Sequence, residues 1–177
     1  MSGFRKGPAK VEVALKWDPA PAGRPPHDLD LVAATYAADD PHGEPVYVVH
    51  FGSRSPDGTI TLDRDSRTGQ GFGFDEVMTV ELDRIRPELG RVVVGVSVQD
   101  QGGRVTFGEI ANAGFRIREG HTVLAEGGFA EVGDCPAVLV AEFVRDGAGA
   151  WTFVPGLRGS QSGPAEFVRA MGALRTR

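Results

Sequence analysis

Val11-Glu12-Val13-Ala14-Leu15-Lys16-Trp17 alternates large apolar side chains with charged or small ones. That period of two is the mark of a strand with one face buried and one face wet. Working outward, Asp18-Pro-Ala-Pro-Ala-Gly-Arg-Pro-Pro26 holds four prolines in nine residues and can only be a surface loop. Asp28-Leu-Asp-Leu-Val-Ala-Ala-Thr-Tyr-Ala37 then puts Leu29, Leu31 and Ala33 on one face and Asp28 and Asp30 on the other. Val46 to Phe51 reads as a strand too apolar to be exposed. The β-turn Ser55-Pro-Asp-Gly58 joins it to Thr59-Ile-Thr-Leu62, and the pair reads as a hairpin.

Further along, Met78, Val80 and Leu82 alternate with Thr79, Glu81 and Asp83, and a helical turn fits Asp83 to Gly90. Arg91 to Val98 is a valine-rich buried strand. Phe107 to Ile117, His121 to Phe129, Ala137 to Val144 and Trp151 to Val154 follow as strands, and Pro164 to Leu174 is the one good helix. About nine or ten short strands separated by turn signals predict an all-β fold, a β-sandwich of two antiparallel sheets with a few short helices. The chain has 177 residues with 41% hydrophobic and 24% charged, values of an ordinary globular domain that exclude a disordered chain, a collagen and a membrane bundle. Glycine, 25 residues, is about twice average usage and fits a turn-rich architecture. Residues 1–9 read as a disordered tail and 10–177 as a single domain.

Nineteen basic residues against 24 acidic give a net charge of −5, which argues against nucleic acid or an anionic membrane as partner. The single cysteine, Cys135, permits no intrachain disulfide and lies in no nucleophile motif, so it reads as a surface or half-buried thiol. No apolar run reaches the length of a signal peptide or a membrane span, and a cytoplasmic location is the expectation. His27, His42, His50 and His121 are scattered without zinc spacing. Trp17 and Trp151 read as core or sheet-face aromatics. Arg158, Arg169, Arg175 and Arg177 make the carboxyl end basic and read as a solvated face.

The chemistry concentrates in Asp63-Arg-Asp-Ser-Arg-Thr-Gly-Gln-Gly-Phe-Gly-Phe-Asp-Glu76. Glycines free the backbone to turn carbonyls inward, and Asp63, Asp65, Asp75 and Glu76 supply hard oxygens of the kind Ca²⁺ takes. An EF-hand register starting at Asp65 fails, because Arg67 and Gly69 stand at ligand positions and Gln70 at the obligatory glycine. A dinucleotide fingerprint fails too, since the glycines lead into Asp75-Glu76, whose charge repels a pyrophosphate. A solvated acidic loop without an ion is the plain alternative.

These residues carry a resemblance to the TerD family of tellurium-resistance and bacterial stress proteins. Its signature loop reads roughly Gly-Asp-Asn-x-Thr-Gly-x-Gly-Asp-Gly-Asp-Asp-Glu. Leu15-Lys-Trp-Asp18, Asp28-Leu-Asp30, Ser55-Pro-Asp-Gly58, Phe107-Gly-Glu-Ile-Ala-Asn-Ala113, Arg145-Asp-Gly147 and Trp151-Thr-Phe153 resemble further motifs of the family in the same order. The resemblance covers about residues 10–174. It implies a two-sheet sandwich, a cytoplasmic location, no established catalysis, and Ca²⁺ bound by Asp28, Asp30, Asp65, Gly71, Asp75 and Glu76. Ser66, Phe72 and Phe74 depart from the pattern, and the two phenylalanines replace two carboxylates. The expectation is therefore one weakened Ca²⁺ site. The alternative is a metal-free structural or regulatory domain in which Arg64 or Arg67 neutralises the surviving acids. The function this implies is a non-enzymatic, calcium-binding interaction module linked to tellurite and chemical stress, with other stress-response proteins as partners. A small metal-assisted hydrolase built on the same carboxylates is a third reading, without a histidine or nucleophile near the loop to serve it. Phe72 and Phe74 are expected to fold back over the end of the sandwich, or else to mark a partner contact.

Overall fold

The computed structural model describes residues 7–64, 73–100 and 103–174. Eleven strands run in chain order: β1 Lys10–Lys16, β2 Leu29–Ala37, β3 Tyr47–Val49, β4 Ile60–Arg64, β5 Glu76–Glu81, β6 Leu89–Val98, β7 Gly114–Glu119, β8 Thr122–Gly128, β9 Ala137–Arg145, β10 Trp151–Val154 and β11 Arg158–Ser160. One α-helix, α1 Pro164–Ala170, follows and tightens into a 3-10 turn at Met171–Ala173. The strands form two antiparallel sheets. The first has the order β4-β5-β1-β7-β8 and the second β10-β9-β6-β2-β3, with β11 added beside β9. This is the β-sandwich expected from the alternation.

The first sheet contributes Val11, Val13, Leu15, Met78, Val80 and Ile117 to the space between the sheets. The second answers with Leu29, Leu31, Ala33, Val92, Val94 and Val96, all buried. Its opposite face is also covered. Val32, Ala34, Tyr36, Val93 and Leu139 pack under Phe167 and Met171 of the carboxyl-terminal helix and turn. Burial on both faces is why Arg91 to Val98 lacks a polar alternate. It is also why a glycine interrupts that valine run: a Cβ at Gly95 would stand 2.7 Å from the Phe167 ring.

Several local expectations change. The stretch Val46 to Phe51 and the stretch Thr59 to Leu62 do not form a hairpin. β3 pairs with β2, Ala33 opposite Val49, whereas β4 pairs with β5, Ile60 opposite Val80, so residues 50–59 carry the chain from one sheet to the other. Asp57 builds that corner by accepting the Thr59 amide at 3.1 Å and its hydroxyl at 2.7 Å, which leaves no tight strand-to-strand reversal. Nor is the stretch uniformly buried, since Val46 is 43% and Phe51 56% exposed. Phe107–Glu109 is a 3-10 turn closed by a Thr106–Glu109 capping box, and the strand begins only at Gly114. Cys135, read as a surface or half-buried thiol, is buried at 8% exposure against Gly159. Ala9, expected in the tail, donates its amide to Glu119 at 2.8 Å; residues 1–6 lie outside the described residues.

Candidate functional site

Register brings the acidic residues to one end of the sandwich. In the first sheet the last turn of β1 lies beside the start of β5, with Leu15 opposite Glu76. In the second the start of β2 lies beside the end of β6, with Leu29 opposite Val98. The two ends meet because the Leu31 amide of β2 donates to Glu76 Oε1 of β5 at 2.9 Å. β3 pairs with β2 only over Ala33–Thr35, so this part of the β2 edge is served by a carboxylate instead of a strand. Glu76 shares its face of β5 with Met78 and Val80 and is completely buried, so it stitches the sheets together from inside.

Asp75 acts one residue earlier. Its own amide donates to the Leu15 carbonyl at 2.8 Å, and its Oδ2 accepts the Trp17 amide at 2.9 Å. The side chain thus extends the β1–β5 ladder past the last strand residue. The Trp17 indole donates to the His27 carbonyl at 2.9 Å, which closes the proline loop and delivers Asp28 and Asp30 to the same end. Gln99 holds them there: its amide donates to the Asp28 carbonyl at 2.8 Å, and its side-chain amide donates to Asp30 Oδ2. Asp28, Asp30, Asp75 and Glu76 are 8%, 3%, 2% and 0% exposed, so the expected ligands among the described residues are interior groups, not members of a solvated loop.

Strand alternation divides them. Asp30 lies on the face of β2 that carries Val32 and Ala34, whereas Glu76 points between the sheets. Among the described residues no three His, Cys, Asp or Glu side chains come together to hold a metal ion. Asp65 and Gly71, the other expected ligands, lie outside the described residues, as do Ser66, Arg67 and Phe72. In donor type the four described carboxylates fit calcium, but a full shell needs oxygens beyond them. Phe74 does not stand free. It is half-buried, with the Arg116 guanidinium 4.5 Å and the Lys16 ammonium 5.9 Å from its ring centroid.

A second polar centre was not anticipated. Arg91, at the head of the valine run, is 1% exposed and donates to Glu142 of β9 at 2.6 Å. The same guanidinium donates to the carbonyls of Gly172 at 2.7 Å, Pro41 at 3.0 Å and Leu174 at 3.2 Å, and it lies 5.2 Å from the Tyr36 ring centroid. Arg158 reaches the other Glu142 oxygen at 3.1 Å, so this arginine belongs to a buried ion network and not to a solvated basic face. Burial pushes Glu142 up, but the hydrogen bond and charge of Arg91, with Arg158 behind them, outweigh it and hold the carboxyl below the usual range. Burial raises Tyr36 to about 12. The signal in the sequence was one charge of each sign, Arg91 and Glu142, among the apolar residues of β6 and β9.

With this geometry in view, the comparisons with known proteins agree among themselves. A crystal structure of a homologue of telluride resistance protein (TerD) from Streptomyces coelicolor A3(2) superposes with a TM-score of 0.92 at 53% identity, covering 94% of this chain and 98% of that one. A crystal structure of a protein of unknown function gives a TM-score of 0.94 at 56% identity, covering 96% and 99%. A tellurium resistance protein TerD from Alcaligenes sp is 30% identical over 148 residues, 81% of this chain and 77% of that protein. The uncharacterized protein YceE of Bacillus subtilis is 29% identical over 178 residues, 94% and 89% of the two chains. Since the TerD domain model also matches residues 2–170, the chain belongs to the TerD domain family.

Proposed function

We propose that this protein is a stress-response TerD module that binds Ca²⁺ at the acidic end of its sandwich and acts through contact with another protein, not through catalysis. The observation that carries this reading is the burial of four carboxylates where the ends of β1, β2, β5 and β6 meet. A buried carboxylate is costly unless hydrogen bonds or a cation offset its lost hydration. The candidate ligands are Asp28, Asp30, Asp65, Asp75, Glu76 and the Gly71 carbonyl, and since no three of the described carboxylates converge, the ion would draw on some of them and take the rest of its shell from Asp65 and Gly71. Calcium is favoured over magnesium because mixed carboxylate and carbonyl oxygens suit a large, adaptable shell. Asp75 and Glu76 are occupied with the Trp17 and Leu31 amides, a stitching role that supports a binding module over an enzyme. The same two bonds favour the metal-free structural reading as the alternative. A role in tellurite or chemical stress follows from the tellurium-resistance relatives, a cytoplasmic setting goes with it, and the net charge of −5 supports a protein partner over nucleic acid. Among the described residues no helix is long and apolar enough to cross a membrane.

Calorimetric and thermal titration with Ca²⁺ decides between the two readings. At a hundred times Kd, a ligand specific for the folded state adds about 2.7 kcal/mol. For a chain of this size that raises Tm by about 5–10 °C. Asp30→Asn and Asp75→Asn should abolish the rise while leaving a folded apo protein. No heat and no shift in the wild type would establish the metal-free domain.

A further inference from the structure

The two sheets leave a cleft on the side where their short edge strands face each other. Glu76 places β5 under β2, so the neighbouring strands β4 and β3 also lie one above the other. Between them opens a cavity of about 360 Å³. Its floor is Val49 and Ile60, each 2% exposed, with Leu62 beside them. Its lip is the turn His50–Ser53 together with Arg54.

That turn is tightly built. His50 and Ser53 exchange two backbone hydrogen bonds of 2.9 Å, and the Ser53 hydroxyl donates to the Val48 carbonyl at 2.7 Å. The Gly52 amide donates to His50 Nδ1 at 3.1 Å, so the neutral ring carries its proton on Nε2. Phe51 is thereby held 56% exposed at the tip, its ring edge-on to His50 at 5.5 Å. A large aromatic ring held out to solvent beside an apolar cleft marks a contact surface. Arg54, also exposed, has no ion-pair partner among the described residues, although the protein as a whole is acidic. Asp57, three residues on, is engaged by Tyr47 and Thr59.

The backbone of β4 supplies the remaining element. The Glu81 amide donates to the Thr59 carbonyl at 2.8 Å, so Thr59 and, by alternation, Thr61 turn their backbone groups toward β5. Those of Ile60 and Leu62 point away from β5 to the edge of the sheet, where the Ile60 amide donates to the Ser55 hydroxyl at 3.4 Å and no other partner is found among the described residues. An edge of this kind accepts an added strand. We infer that the β3–β4 cleft binds an extended peptide segment of another protein, which pairs with the edge of β4, places an apolar side chain on Val49, Ile60 and Phe51, and offers a neighbouring acidic side chain to Arg54. This deepens the reading of the protein as an interaction module, but it uses none of the acidic-end residues: Ile60 pairs with Val80, four positions along β5 from Glu76.

The test uses the full chain and a display library of random linear peptides, with the double variant Phe51→Ala/Arg54→Glu as the counter-selecting protein. Both substituted residues are exposed, and melting curves should match the wild type. The expected consensus is an apolar residue of strand propensity next to Asp or Glu, without proline. Binding of the selected peptide should fall about tenfold with Phe51→Ala and again with Arg54→Glu. Replacing the peptide's acid by Lys should restore binding to Arg54→Glu and lower it for the wild type. No enrichment over the double variant, a basic consensus, or binding indifferent to both substitutions overturns the proposal. So does saturable binding of laurate at this cleft with no peptide enriched, since that assigns it to a free amphipathic carboxylate. The Ca²⁺ thermal shift is measured on the same variants and should be unchanged in them. A missing shift in the wild type therefore counts against calcium alone, and missing peptides count against the cleft alone.

Discussion

Replacing Arg91 by Met keeps most of the apolar stem and removes the guanidinium. Four hydrogen bonds go with it: to Glu142 at 2.6 Å, and to the Gly172, Pro41 and Leu174 carbonyls at 2.7, 3.0 and 3.2 Å. Glu142 would keep Arg158, but the Gly172 and Leu174 carbonyls of the carboxyl-terminal segment and the Pro41 carbonyl of the loop after β2 would lose their common donor. Removing one partner of a buried ion pair costs about 3–5 kcal/mol, and because Glu142 keeps Arg158 the lower end of that range is expected. Against a typical stability of about 5–15 kcal/mol that is a large fraction. In Tm it corresponds to a drop on the order of 10 °C. Urea unfolding should show a lower midpoint, and hydrogen exchange should accelerate first at Met171 to Leu174, before the sandwich itself opens. Arg91→Met combined with Glu142→Met should cost less than the sum of the two single changes, since the pair is removed together. A loss under about 1 kcal/mol, or exchange rising uniformly across the chain, would refute the idea that this arginine is the anchor of the carboxyl-terminal segment.

Gly172→Ala attacks the same clamp sterically, because its Cβ would collide with the Tyr36 ring and hydroxyl; we expect a loss of about 1–3 kcal/mol in thermal unfolding and the same local exchange signature. The chain has only two tyrosines, Tyr36 and Tyr47, and burial raises both above 10. A near-ultraviolet phenolate titration of the folded protein should therefore show no tyrosine ionising at its ordinary value. Because the folded values are raised, this stabilisation is complete below pH 10 and is lost as pH rises from 10 toward about 12. Glu142 acts with the opposite sign: its folded pKa lies below the ordinary 4.5, so its contribution is present above that value and is lost as pH falls below it. Glu142→Gln should flatten that part of the acid stability profile, measured as Tm against pH.

Strands buried on one face were legible because alternation survives in them, as in Val11 to Trp17. The doubly buried strands were legible only as apolar runs. Nothing local says that Arg91 to Val98 lies under a helix, and only Gly95, placed to admit the Phe167 ring, hints at it. The supposed hairpin failed for a related reason. Ser55-Pro-Asp-Gly58 does turn the chain, but which sheet each flanking strand joins depends on partners far away in sequence, β2 for one and β5 for the other. At the acidic end β2 and β5, read as possible neighbours, lie in different sheets, and the residue types were legible whereas the burial of Asp75 and Glu76 was not. Their hydrogen bonds go to the amides of Trp17 and Leu31, 58 and 45 residues away. Charged residues next to a glycine-rich segment read as solvated until those long-range donors are known. The Arg91–Glu142 pair escaped for the same reason, its two members lying 51 positions apart.

The stitching bonds also set how calcium can act here. Glu76 joins the sheets and Asp75 extends the β1–β5 ladder, so an ion drawing on these carboxylates is coupled to closure of the sandwich at that end. If the ion shares the carboxylates without breaking the bonds to Trp17 and Leu31, it adds stability and leaves the amide environments of those two residues almost unchanged. If it takes the oxygens for itself, the two amides lose their acceptors, and much of the binding energy is offset by two unmade buried hydrogen bonds at about 1–3 kcal/mol each. Amide chemical shifts of Trp17 and Leu31 during a Ca²⁺ titration separate the cases. We expect them to hold steady while Tm rises, because a site that dismantled its own frame would gain little from binding. Large shifts at both amides with a small rise in Tm would mean that the carboxylates serve the ion at the expense of the fold.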